Sequence, residues 1–317
     1  MDIGLMVEGQ NGLTWERWSH ILQLAERLGF PSVFRSDHYF IGKQQESLEA
    51  YLSFVLAARE TSNIRFGPLV TPITFRSPAN VARMAAQIDV LSGGRFVMGM
   101  GAGWNEAEHR AYGIPFPAVK ERFDRLEEGI NIAKALWTQS PATYAGRYYQ
   151  LDGADCMPKP ASGHPPLLIG GSGEKRTLRL VARYASEWNG VNLTPDAYAQ
   201  KVAVLERHCA AEKRDPATIR RSMMAFALVA PDATGLERAT ERLMGMFGAP
   251  AGMSPADFRQ ASKARGIISG TTGEVVDILG HLGELGLQEV QFQHFNFDDD
   301  SVPEFLAAEL APRVKPL

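Results

Sequence analysis

Gly93-Gly94-Arg95-Phe96-Val97-Met98-Gly99-Met100-Gly101-Ala102-Gly103-Trp104-Asn105-Glu106 is the stretch whose reading decides the fold. An amphipathic run over 78–92 precedes it, and the glycine pair stops that helix. An apolar strand follows, with Gly99, Gly101 and Gly103 spaced by two, and Trp104 and Asn105 stand where the strand opens into a loop. Glycines at the carboxyl end of a strand let the backbone approach a ligand closely. In α/β proteins that end is where ligands bind. Taken alone, the stretch is equally a βα turn that only packs tightly, so its surroundings decide.

Outward from it, apolar strands alternate with amphipathic helices. The pattern predicts strands at 3–8, 32–36, 64–71, 95–101, 166–170, 187–190, 219–229 and 289–295. Helices are predicted at 14–28, 47–61, 77–92, 117–137, 174–184, 195–213 and 272–285, with a last one at 302–310. The first of them begins on a Thr cap, carries Trp15, Trp18, Leu22 and Ala25 at helical spacing, and stops before Gly29. Eight strands, each followed by a helix, predict an α/β fold, a (β/α)8 TIM barrel, as one domain over 1–317. An open doubly wound sheet is the alternative, and the missing N-terminal dinucleotide fingerprint disfavours it. Two insertions interrupt the repeat, at about 142–159 and 231–270. Tyr144, Tyr148, Tyr149 and Leu151 around Gly146 make the first a hairpin. The second combines a helix over 236–247 with turn signals at Gly248, Pro250, Gly252 and Pro255. Long insertions in a barrel sit at the ligand face as lids, or serve as subunit contacts.

Composition narrows the partners. A chain of 317 residues, 45% hydrophobic and 22% charged, is that of a soluble globular protein with a large core. A net charge of −3 gives no electrostatic case for nucleic acid or a membrane surface. Cys156 and Cys209 make neither a disulfide framework nor a metal-ligand spacing, so no metal is expected. Met1-Asp2-Ile3-Gly4 enters a strand at once with no signal-peptide pattern, and no apolar run reaches the ~20 residues of a membrane span. A cytoplasmic homodimer acting on a small-molecule substrate is expected.

Four blocks carry a family resemblance. They are Phe34-Arg35-Ser36-Asp37-His38, then Leu69-Val70-Thr71-Pro72 with Thr74-Phe75-Arg76-Ser77-Pro78, then Asp89 through Glu106, and last Ile169-Gly170-Gly171-Ser172-Gly173-Glu174-Lys175-Arg176 with Trp188-Asn189 beyond. In this order and spacing they resemble the luciferase-like monooxygenase superfamily, barrels that bind flavin mononucleotide (FMN) or the deazaflavin coenzyme F420. Gly-Gly-Ser-Gly-Glu-Lys leading into a helix is most similar to the F420-dependent oxidoreductase branch. That branch implies hydride transfer between the deazaflavin C5 and a small organic substrate such as an enone, imine or nitroarene. The alternative is an FMN-dependent monooxygenase using O2 and a separate flavin reductase. A barrel that binds a ligand without turnover is a third reading, against which Asp37-His38 stands.

The resemblance also assigns residues. His38 and Asp37, at the carboxyl end of the second strand, are the implied catalytic residues. His38 lies beside the ring and donates a hydrogen bond or a proton there, and Asp37 is also a cofactor contact. Leu69, Val70 and Thr71 are expected to contact the cofactor, with the Leu69–Val70 bond cis and its bulge against the back of the ring. Gly101, Ala102, Gly103 and Asn105 are expected to meet the ring or its ribityl hydroxyls. Ile169, Gly170, Gly171, Ser172 and Gly173, leading into a helix start with Lys175 and Arg176, read as an anion site for the cofactor phosphate. Lys175, Arg176 and Arg179 are also placed to meet the carboxylate tail of F420. Glu8, Trp104, Trp188 and His294 are expected to line the substrate pocket. Some sugar-phosphate-oxidising relatives carry a catalytic carboxylate close to the Trp104 position, and its absence argues against that activity here. Glu106 and Glu108 read as solvated carboxylates.

Overall fold

The computed structural model describes residues 1–42, 47–161, 163–250 and 252–315. In chain order its strands are β1 (Asp2–Val7), β2 (Ser32–Arg35), β3 (Arg65–Pro68), β4 (Thr71–Pro72), β5 (Met98–Gly101), β6 (Ala142–Ala145), β7 (Gln150–Ala154), β8 (Leu167–Gly170), β9 (Glu187–Val191), β10 (Arg220–Ala225), β11 (Ala227–Ala230), β12 (Ile268–Thr271) and β13 (Glu289–His294). Nine of them form one parallel sheet, in the order β3-β2-β1-β13-β10-β9-β8-β5-β4. β3 and β4 are two halves of one barrel position. The sheet's ends meet because Phe66 of β3 bridges Phe96, and the Val97 N–H donates to the Phe66 carbonyl at 2.8 Å. The result is a nearly closed α/β barrel with helices around it. β6 and β7 pair antiparallel as the expected hairpin.

Local signals place the helices. Thr14 accepts from the Arg17 N–H to start Trp15–Leu28, and Gly29, at φ 75°, ends it. Gly93 ends Pro78–Ser92 in the same left-handed conformation, at φ 67°. A residue with a Cβ adopts that region only at a cost, which is why glycine stands at both stops.

Strand alternation divides the barrel interior into layers. At the N-terminal ends lies a polar floor, where Arg65 pairs with Glu187 at 2.6 Å and with Glu289 at 3.2 Å, and Ser32 hydrogen-bonds Glu289. Above it sits an apolar plug of Met6, Phe34, Leu69, Val97 and Leu168. The carboxyl ends then form a polar mouth. Side chains of the opposite parity, among them Leu5, Val33, Met98, Ile169, Met223 and Phe292, pack outward in the main core.

The second insertion departs from expectation. The strand predicted over 219–229 is broken at Phe226: β10 stays in the barrel, while β11 leaves it to pair with β12. β12 and the helix Pro255–Ala264 occupy a segment that reads as loop, and the other helix begins earlier than predicted, as Ala233–Phe247. Ser254 caps Pro255–Ala264 by accepting from the Asp257 N–H. Ser-Pro reads as a turn in sequence, but Pro at the first position of a helix with Ser before it is a helix start. A short helix, Glu106–Ala111, was also hidden in the loop after β5, where the Asn105 side chain caps it by accepting from the Ala107 N–H.

Candidate active site

His38 and Glu108 form the chemically most specific pair at the mouth. His38 Nδ1 lies 2.8 Å from a Glu108 oxygen. Glu108 is completely buried, and its other oxygen accepts from the N–H groups of Tyr39, at 2.6 Å, and Phe40, at 3.2 Å. The carboxylate read as solvated is therefore the anchor of the loop that carries His38. Trp104 meets the imidazole edge to face at 5.4 Å between centroids and remains 65% exposed, leaving its other surface for a ligand. Asn105 holds this arrangement from behind, donating to the Phe40 carbonyl at 3.2 Å while capping the helix that bears Glu108. Its amide is thus partly spent on structure rather than free for a cofactor.

Asp37 turns the other way. It is 3% exposed and accepts from Thr71 Oγ1 at 2.9 Å and from both terminal nitrogens of Arg76, at 2.6 and 3.0 Å. Thr71 is in turn 3.0 Å from the Tyr51 hydroxyl on the helix Ala50–Glu60. Burial works against the Arg76 charge, but Asp37 and Glu49 outweigh it and hold the guanidinium above its ordinary range. Asp37 and Thr71, both expected as cofactor contacts, direct their side chains into this network. Both side chains brace the outer layer.

The glycines make a shelf. Gly99, Gly101 and Gly170 lie at the inward parity of β5 and β8, and Val70 occupies the room they leave. A Cβ on Gly101 would stand 2.6 Å from Val70 Cγ2, and one on Gly170 would stand 2.8 Å from Val70 Cγ1. The Leu69–Val70 peptide bond is cis, as the resemblance implies. Gly103, at φ 78°, closes the turn, with Ala102 half-buried beside it. Ile169 contributes only backbone to this face, because its side chain is buried in the outer core.

Beyond β8 the chain makes an anion-ready turn. Gly171 has φ 119°, and Glu174, Lys175 and Arg176 form a turn, the helix itself starting at Thr177. The predicted first-turn position of Lys175 and Arg176 is corrected to one just ahead of the helix. Ser172 Oγ and Arg176 Nη1 are buried and have no partner among the described residues. Lys175, Arg176 and Arg179 line a cavity of about 320 Å³ with Phe123, Asp124 and Glu127. Two unpaired donors in a glycine turn are the chemistry a phosphate satisfies.

The far side of the mouth shows a parity lesson. Glu8 faces inward as expected, accepting from Gln10 Nε2 at 2.7 Å and from Gln293 Nε2. Gln293, not its neighbour His294, is the inward residue of β13, and sequence reasoning missed it by one position. His294 faces the other side of the wall, edge to face with Phe297 at 5.7 Å, and lines a cleft there. The expectation for Trp188 is corrected. It is fully buried, stacks on Tyr198 at 5.6 Å and donates to the Gly171 carbonyl at 2.9 Å, so it supports the glycine turn rather than lining a pocket.

The family model for luciferase-like monooxygenases matches residues 1–278, and the chain belongs to that family. Among its relatives, the F420-dependent hydroxymycolic acid dehydrogenase of Mycobacterium tuberculosis is 30% identical over 304 residues, 92% of this chain and 83% of that protein. The F420-dependent glucose-6-phosphate dehydrogenase of Intrasporangium calvum is 37% identical over 166 residues, 51% of this chain and 48% of the relative. An FMNH2-dependent dimethylsulfone monooxygenase of Pseudomonas putida is 33% identical over 177 residues, 54% of this chain and 47% of the relative. The chain thus spans about half the length of the latter two. A solved F420-dependent secondary alcohol dehydrogenase in complex with an F420-acetone adduct superposes with a TM-score of 0.82 at 22% identity, over 99% of this chain and 98% of that one, which shows the shared fold. No helix among the described residues is long and apolar enough to cross a membrane.

Proposed function

We propose that the protein is an F420-dependent oxidoreductase that moves a hydride between the deazaflavin and a small organic substrate at the barrel mouth. The observation that carries this reading is the His38–Glu108 pair, a proton-handling group fixed by a buried carboxylate above a glycine shelf. The residues fit a flat cofactor with a phosphate. Gly101 and Gly170 with Val70 would support the ring, and Ser172 and Arg176, whose buried polar atoms lack partners, would hold the phosphate. F420 is favoured over FMN by the relatives at 30% and 37% identity.

When bound, the deazaflavin supplies a two-electron carrier that takes or gives hydride at C5. His38 does the proton work. With the Glu108 carboxylate as acceptor, Nδ1 is the donor of this bond, which leaves Nε2 to exchange a proton with the substrate. In the oxidative direction Nε2 takes the proton from the substrate's hydroxyl oxygen as the carbon bearing that hydroxyl gives up its hydrogen as hydride, and the alcohol becomes a carbonyl. Glu108 stabilises the imidazolium that results. In the reductive direction His38 returns that proton to the new alkoxide oxygen. Trp104 packs against the imidazole and helps fix its orientation.

His38→Ala tests the assignment. The expected result is a fall in kcat of roughly 100-fold with F420 affinity within about threefold of the parent, the pattern of an interaction made in the transition state. A folded variant with near-normal kcat would make His38 a structural residue. The monooxygenase reading is favoured by the Pseudomonas putida relative. Absorbance of the purified protein separates the two, as a single deazaflavin band or the two bands of a flavin.

A further inference from the structure

The barrel wall is open between β11 and β13. β10 and β13 stay paired from Ser222↔Glu289 to Ala225↔Phe292. Above that rung β11 turns away and pairs with β12, from Ala227↔Ile268 to Ala230↔Thr271. A cleft of about 880 Å³ occupies the gap. Phe226 and Gln293 bound its inner end, and Gln293 also hydrogen-bonds Glu8 inside the mouth. Leu228, Leu243 and Phe305 form apolar walls further out.

Among the polar side chains of the lining, His294 stands beside Phe295 and Phe305. His294 is 4% exposed as a residue and lines the cleft. The ring nitrogens are not among the sealed, partnerless polar atoms, so they open onto the cleft, where a ligand hydroxyl or carbonyl can take the place of water. Burial, against the pull of Asp300 and Asp299, pushes the imidazole down to about 4, so the ring is neutral at pH 7. A neutral imidazole pairs with a hydroxyl or carbonyl without preferring a charged group. At the rim Arg238 and Arg242 stand with Glu241 and Asp299, so opposite charges balance.

We propose that this cleft binds the apolar body of the substrate, an aliphatic or alicyclic skeleton bearing an uncharged hydroxyl or carbonyl that hydrogen-bonds His294. The volume is that of a pocket for a small organic molecule, and such pockets are mostly apolar with a few placed polar groups. This rests on the oxidoreductase reading only in calling the ligand a substrate. The preference for neutral apolar molecules stands on the cleft itself.

The test is binding, without cofactor, to the full chain. Titrate 2-alkanones from 2-butanone to 2-decanone by calorimetry. Affinity should rise roughly three- to fourfold per added methylene until the cleft is filled. 2-Decanone should bind at least tenfold tighter than decanoate. Ala239→Trp, which places a ring in the cleft from the helix Ala233–Phe247, should remove the dependence on chain length. His294→Phe should lower 2-decanone affinity about tenfold with an unchanged circular dichroism spectrum and an unchanged F420 titration. Affinity flat with chain length, decanoate binding as well as the ketone, or an Ala239→Trp variant that binds 2-decanone normally overturns the proposal. So does a dimer that Ala239→Trp splits while no ketone binds, since a second copy would then cover the cleft. Failure of the F420 reading appears only in the cofactor titration and leaves these outcomes untouched.

Discussion

Gly101→Ala should damage the protein through a single neighbour, and removing that neighbour should repair it. The new Cβ would stand 2.6 Å from Val70 Cγ2, far inside contact distance. Gly101 lies at no positive φ, so the backbone itself tolerates alanine. Overpacking of this kind costs about 1–3 kcal/mol. The lost freedom of the unfolded chain gives back about 0.4–1 kcal/mol. A net destabilisation of about 1–2 kcal/mol follows. Val70→Ala removes both Cγ atoms and costs about 1.6 kcal/mol, at ~0.8 per buried carbon. In the double variant the nearest Val70 atom is Cβ at 3.9 Å, an ordinary contact. The two changes together should then cost about what Val70→Ala costs alone, a coupling of about 1–2 kcal/mol. Denaturant unfolding of the four proteins measures it. Gly170→Ala should behave alike, since its Cβ would lie 2.8 Å from Cγ1 but 3.8 Å from Cβ of the same residue. Cofactor affinity should follow stability: lost in Gly101→Ala, where Val70 is displaced into the shelf, and recovered in the double variant. Single effects that add within about 0.5 kcal/mol would refute the reasoning.

Glu108→Gln keeps the size and one acceptor but removes the charge, so kcat should fall at least about tenfold, with little change in KM and a shifted pH profile; an unchanged profile would show that Glu108 only packs. Ser172→Ala combined with Arg176→Met should weaken cofactor binding about tenfold or more, read by tryptophan quenching, while kcat at saturating cofactor stays within about twofold. His294 gives the pH dependence of stability. Its folded pKa lies near 4 against 6.5 ordinarily, chiefly through burial, with Asp300 and Asp299 pulling the other way. Its contribution is full above pH 6.5 and is lost as pH falls toward 4, up to about 3 kcal/mol. Denaturation midpoints of His294→Phe should lose less than those of the parent across that window, and parallel curves would contradict this.

Much of the barrel was legible because its signals are local. Period-two and helical patterns with glycine stops mark the barrel positions, and the glycines at 99, 101 and 103 mark the ligand end of β5. The departures have one physical origin, which is that non-local contacts decide parity and burial. Nothing within 219–229 announces the break at Phe226, because β11 finds its partner some forty residues later in β12. His294 and Trp188 each sit one residue from an inward position, held by Gln293 and Asn189, and a one-residue shift in a strand puts a side chain on the other side of the wall, in the outer core for Trp188 and in the neighbouring cleft for His294. Asp37-His38 reads as one unit, yet Arg76 claims Asp37 while Glu108, 70 residues away, claims His38. Glu108 looks solvated from its neighbours on the helix. The loop over 38–40 buries it, and no local pattern encodes that contact.

The central claim is that the site holds a deazaflavin, and direct competition between cofactors tests it. Cofactor-free protein is titrated with F420 and, separately, with FMN, following quenching of tryptophan fluorescence as the shelf beside Trp104 fills. The account predicts F420 binding at least tenfold tighter, a gap of about 1.4 kcal/mol. FMN binding as tightly or more tightly would contradict it and put the monooxygenase reading in its place.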